Sequence, residues 1–127
     1  MLRTLFRPMR ADADGTPACG PTVRTLGVRD EDLEPPGADP VEPGMGGMFV
    51  SADDPGGLAP HRLPRELGGF GKDPLFRIDE ASLVSFLQFR SDGPHVGTHG
   101  VVEPIATTAL RAFQEALCNT RPAWTRR

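Results

Sequence analysis

Apolar and polar positions alternate from Leu2 to Arg7, with Leu5 and Arg7 on one face and Thr4 and Phe6 on the other. This predicts a first strand, ended or confined to an edge by Pro8. Val23 to Val28 repeats the pattern: Val23, Thr25 and Gly27 fall on one side and Leu26 and Val28 on the other, a second short strand. Met48 to Ser51 is a short apolar run and reads as a buried strand. Leu75 to Ile78 and His99 to Val102, the latter ended by Pro104, are further strands. Asp79 begins a helical turn through Phe86, because Leu83, Phe86 and Leu87 recur at three- and four-residue spacing. Leu87 to Arg90 fits a strand equally well. The clearest element is the last. Leu110, Phe113 and Leu117, widened by Ala109 and Ala116, form a helical stripe from a Thr107 or Thr108 cap to about Asn119, and Pro122 prevents continuation.

Between these elements lie long loops. Ala11 to Pro21 is rich in Asp, Gly and Pro. Arg29 to Pro43 holds six acidic residues and four prolines, a composition that predicts an exposed loop. Asp53 to Gly57 is a break, residues 58–73 show no clean period, and Ser91 to Pro94 is a turn. Several short strands, long Gly/Pro loops and a C-terminal helix predict an α+β fold.

The 127 residues are the size of one domain and bury about two-thirds of their unfolded surface on folding, enough for one core. Gly (15) and Pro (14) are abundant, but the apolar clusters and a net charge of only -3 favour a folded core with ordered loops. The mild acidity argues against DNA or RNA as a partner, although Arg121, Arg126 and Arg127 give a basic tail. Cys19 and Cys118 form no local motif, and two free thiols are the expectation. The start is too short and charged for a signal peptide, which predicts synthesis in the cytoplasm and leaves open export by machinery that reads the folded domain. No stretch approaches the ~20 apolar residues of a membrane span, so no membrane partner is expected.

Standard chemical motifs are scarce. His95 and His99 are four apart, but Pro94 and Gly97 argue against a helix there, and no metal site is expected. No Gly-x-Ser-x-Gly elbow exists. Gly44 to Gly47 and Gly68 to Lys72 lead into no clear helix, so they read as turns rather than phosphate loops. What remains is Arg7, Ser51 and Glu103, in that order. Transfer of ADP-ribose from NAD passes through an oxocarbenium-like ribose, which a carboxylate stabilises. An Arg fork holds the pyrophosphate, and a strand hydroxyl supports both.

Leu5-Phe6-Arg7, the Val41 to Val50 segment with Gly46-Gly47, His99 to Ile105, and the end from Thr107 through Trp124 together resemble the exported-effector-two family of bacterial type VI secretion toxins. The resemblance implies a small antiparallel split sheet of the ADP-ribosyltransferase type. It also implies NAD as cofactor-like substrate, a toxic role, and an immunity or antitoxin protein as partner. It carries over Arg7, Gly46 and Gly47 as NAD-binding positions and His99 as a catalytic one, while Glu103 and Ser51 enter from the chemistry. Met48-Phe49 stand where the family has a hydroxyl residue. With no Tyr in the chain, nicotinamide would have to stack on Phe49, Phe76 or Trp124. The alternatives are a non-catalytic module of the same fold that binds a protein or nucleotide, and a toxin acting on nucleic acid.

Overall fold

The computed structural model describes residues 2–83, 86–91 and 98–127. Asp92 to Pro94 of the expected turn, His95, and the middle of the expected helical turn before Phe86 lie outside them. Strands β1 (Thr4–Pro8), β2 (Met48–Ala52), β3 (Leu75–Asp79), β4 (Leu87–Ser91), β5 (His99–Pro104) and β6 (Thr125–Arg126) form one antiparallel sheet in the order β4-β5-β2-β1-β3-β6. Helix α1 (Leu110–Asn119) follows β5. The fold is therefore α+β with a C-terminal helix.

Period-two alternation sorts the strands into two faces. Leu5, Phe76, Ile78, Met48, Val50, Ala52, Leu87 and Val102 are buried in one cluster with Phe113 and Leu117 of α1. Phe6, Phe49, Ser51, His99, Val101 and Glu103 alternate with these and project to the opposite face, as the registers Phe49↔Val101 and Ser51↔His99 require. Between β1 and β2 the ladder pairs at Leu5↔Ala52 and Phe6↔Ser51 and goes no further. On its other side β1 pairs with β3 along its whole length, Thr4 to Pro8, so from Arg7 onward the sheet opens on the β2 side.

Four expectations change. Val23 to Val28 is not a strand: Leu26 and Val28 do enter the core, but the carbonyls of Val23, Thr25, Gly27 and Val28 are taken by side chains, and those of Arg24 and Leu26 by loop N–H groups of Arg10 and Gly20. Arg29 to Pro43 is not simply exposed, because Leu33, Ala38 and Val41 plug the core between charged neighbours. The α1 cap is neither Thr107 nor Thr108. Thr108 pairs with Val41, and the Asp39 carboxylate accepts from the Leu110 N–H at 3.1 Å. Cys19 and Cys118 are joined by a disulfide, with Cα atoms 5.6 Å apart, because the loop after β1 folds back onto α1. After α1, Trp124 is buried and its indole N–H donates to Thr120 Oγ1 at 2.9 Å, which itself donates to the Leu117 carbonyl.

Candidate functional site

Where the sheet opens, Arg7 fills the gap. Its side chain starts on the core face, only 3% exposed, and its guanidinium reaches the Phe49 carbonyl of β2 at 2.7 Å. The other donors go to the carbonyls of Thr25, Thr22 and Gly27. Every partner is a neutral carbonyl. Among the described residues no carboxylate forms an ion pair with Arg7. Burial, with the nearby Arg62 acting in the same direction and Asp32 partly opposing both, pushes its pKa down to about 9. Arg7 is still a cation at neutral pH.

Beside it lies a cavity of about 660 Å³. Its floor is Phe49, Ser51 and His99 on the sheet face away from α1, with the Phe49 and His99 rings 4.8 Å apart at 46°. Gly57, Leu58, Ala59, His61 and Arg62 come from the loop after β2, and Phe70, Lys72 and Asp73 from the approach to β3. Val23, Arg24 and Arg29 close the remaining wall.

The cations on this wall differ in how they are balanced. Arg24 grips Asp73 with two bonds of 2.8 and 2.7 Å, and this pairing with burial opposing it holds the Asp73 carboxyl below its usual range. Arg29 is paired with Asp32 in the same way. Arg62 resembles Arg7: its donors go to the carbonyls of Val23 at 2.7 Å and Pro8 at 2.9 Å, and burial lowers its pKa. Two guanidiniums that form no ion pair with a carboxylate among the described residues therefore face one space. Their hydrogen bonds go to dipoles, and the charges of Asp32 near Arg7 and Asp73 near Arg62 only partly offset the cost of burial, a cost that a bound anion relieves further.

No family model, curated protein or solved structure matches this chain. Its function has to be read from the cavity itself.

Of the sequence-derived site residues, Arg7, Ser51 and His99 meet at this cavity. The Ser51 hydroxyl donates to the Asp54 carbonyl at 2.6 Å and shares a 2.6 Å hydrogen bond with Thr98 Oγ1. Glu103 stands elsewhere. It is four residues along β5 from His99, roughly 13 Å by strand rise, and is not among the lining residues. Only 1% exposed, it accepts from the Gly44 N–H, the Arg90 guanidinium and the Gln88 amide, each at 2.9 Å. Burial disfavours its charge, but these three donors prevail and hold its pKa below the ordinary value. Gly46 and Gly47 also lie apart from the cavity wall. Gly46 has φ +100° against the Asp32 carbonyl, and Gly47 abuts the Val102 carbonyl, so neither has room for a side chain. The candidate stacking residues separate too: Phe49 lines the cavity, whereas Phe76 and Trp124 are in the core.

Arg62, Arg24, Lys72 and Phe70 were not singled out by sequence reasoning as site residues. They sit in segments without periodicity, and only the fold brings them together. Among the described residues no group of three or more His, Cys, Asp or Glu is placed to hold a metal ion. No helix there is long and apolar enough to cross a membrane.

Proposed function

We propose that this chain is an ADP-ribosyltransferase-like toxin domain that takes an NAD-type dinucleotide in the cavity beside β1 and β2. One observation carries the proposal: Arg7 and Arg62, neither ion-paired to a carboxylate among the described residues, face a single cavity that also presents Phe49, Phe70 and Leu58. Arg forks are suited to phosphate oxygens. The aromatic and aliphatic wall suits a nucleobase or nicotinamide ring, and the volume lies within the roughly 300–1,000 Å³ of small-molecule sites. In this arrangement the pyrophosphate lies between the guanidiniums and the nicotinamide ribose lies toward Ser51 and His99. The toxic role and the immunity or antitoxin partner are supported by the sequence resemblance alone.

Cleavage of the nicotinamide bond asks for a carboxylate facing the ribose. The carboxylate on the cavity wall is Asp73, which Arg24 already holds, while Glu103 is committed to Gly44, Gln88 and Arg90. That favours a second reading, a module that binds the dinucleotide without turning it over. Calorimetry with NAD and ADP-ribose, together with assay of released nicotinamide and of growth arrest on expression, decides between them. Binding with nicotinamide release supports transfer or hydrolysis. Binding without release supports the module. Absence of binding to either ligand overturns both.

A further inference from the structure

Residues 18–29 lie outside the sheet and bring Val23, Arg24 and Arg29 to one wall of the cavity. Their carbonyls hold two other arginines: Thr22, Thr25 and Gly27 accept from Arg7, and Val23 accepts from Arg62. The wall is fastened to the rest of the molecule from behind. Cys19 is bonded to Cys118 of α1. Nearby, the Gln114 amide accepts from the Val28 N–H at 3.0 Å and donates to the Val28 carbonyl at 2.7 Å. One fastening is covalent and removable by chemistry; the other is not.

The removable one is within reach of solvent. Cys19 and Cys118 are both half-buried and line an open groove of about 480 Å³ between the wall and α1, with Pro21, Leu26 and Leu110. A small dithiol can approach the sulfurs from this groove without entering the cavity on the other side.

We infer that the Cys19–Cys118 disulfide is a redox switch on the anion cavity: formed, it holds the wall where its carbonyls fix Arg7 and Arg62; opened, it releases that wall and weakens binding. The inference rests on the reading of the cavity as a dinucleotide site. In the switching step a dithiol reductant supplies two electrons and two protons. The S–S bond breaks, Cys19 and Cys118 become thiols, and the reductant closes its own disulfide. The sheet and α1 keep their packing, because Leu26 and Val28 stay in the core and Gln114 still clamps Val28. The wall is then competent only part of the time, and apparent affinity falls in proportion to that fraction.

The test is calorimetry with NAD, and with inorganic pyrophosphate as an anion-only probe, on the oxidised chain, the dithiothreitol-reduced chain and the C19S/C118S variant. Circular dichroism follows the fold of each. The expected result is a folded reduced chain that binds about tenfold more weakly, matched by the double-Ser variant. Equal affinity in the oxidised and reduced forms overturns the inference. So does wholesale unfolding on reduction, since the bond would then hold the fold and not the wall. If neither form binds either probe, the dinucleotide reading fails. The switch is then judged by amide exchange at Gly20 and Thr25, whose N–H groups are bonded within the wall to the carbonyls of Leu26 and Thr22. Faster exchange on reduction supports it, and unchanged exchange overturns it.

Discussion

Arg7 and Arg62 share a chemistry but not a consequence when removed. Arg7→Ala would strand the carbonyls of Thr22, Thr25, Gly27 and Phe49 inside the protein, so it perturbs the fold together with any ligand. Arg62 is only half-buried and is the cleaner probe. Arg62→Ala should weaken NAD binding by roughly ten- to a hundredfold, the loss of a charge-assisted bond worth about 1.5–3 kcal/mol. Arg24→Ala should weaken it less, because Asp73 already neutralises Arg24. Calorimetry on both variants measures the contrast. Glu103 makes a different prediction. Its folded pKa lies below its unfolded one, so between the two values the unfolded chain binds the extra proton. Its contribution is complete above the ordinary carboxylate pKa of about 4.3 and is lost as pH falls through the lower folded value. Urea melts from pH 7 down to pH 3 should show this acid limb, and Glu103→Gln should flatten it.

At the scale of elements, what could be read from sequence was periodicity, and what could not was who accepts each backbone hydrogen bond. The strands near Leu2–Arg7, Met48–Ser51, Leu75–Ile78 and His99–Val102 and the Leu110–Phe113–Leu117 stripe announced themselves by alternation or helical spacing. Val23–Val28 alternates just as well, and Leu26 and Val28, which share one side of it, turn inward, yet guanidinium and amide side chains bind the carbonyls of Val23, Thr25, Gly27 and Val28 in place of a strand. The pattern of apolar residues reports burial and is silent about such partners. The same gap hid half of the cavity. Arg7, Ser51 and His99 lie on strands whose faces can be deduced, whereas Arg62 and Lys72 come from segments with no period. The helix start shows the principle in small. Its cap is Asp39, some seventy residues earlier in the chain. Asp39→Ala should therefore cost about 1 kcal/mol, read as a lower melting temperature, while Thr107→Ala should cost less. Phe113→Ala, at the centre of the stripe, should cost about 3–5 kcal/mol by the same measurement.

Across the whole molecule, the sheet is a partition. One face carries the core and α1, and the other carries the cavity, with Arg7 passing through the opening between β1 and β2. A ligand that binds this arrangement and not the unfolded chain must stabilise the fold. At a hundred times its dissociation constant the gain is about 2.7 kcal/mol. Saturating NAD should accordingly raise the melting temperature by several degrees, and Arg62→Ala should abolish most of that rise. A melting temperature indifferent to NAD at millimolar concentration would count against the dinucleotide site.

Trp124 is the chain's single tryptophan, there is no tyrosine, and the indole is enclosed beside Thr120 behind α1. Ultraviolet emission excited at the red edge thus comes from one known position. A shift of that emission toward longer wavelength times the opening of the α1–β6 end without any label. Compared with the far-ultraviolet signal of the backbone, it tells whether that end lets go together with the sheet or ahead of it.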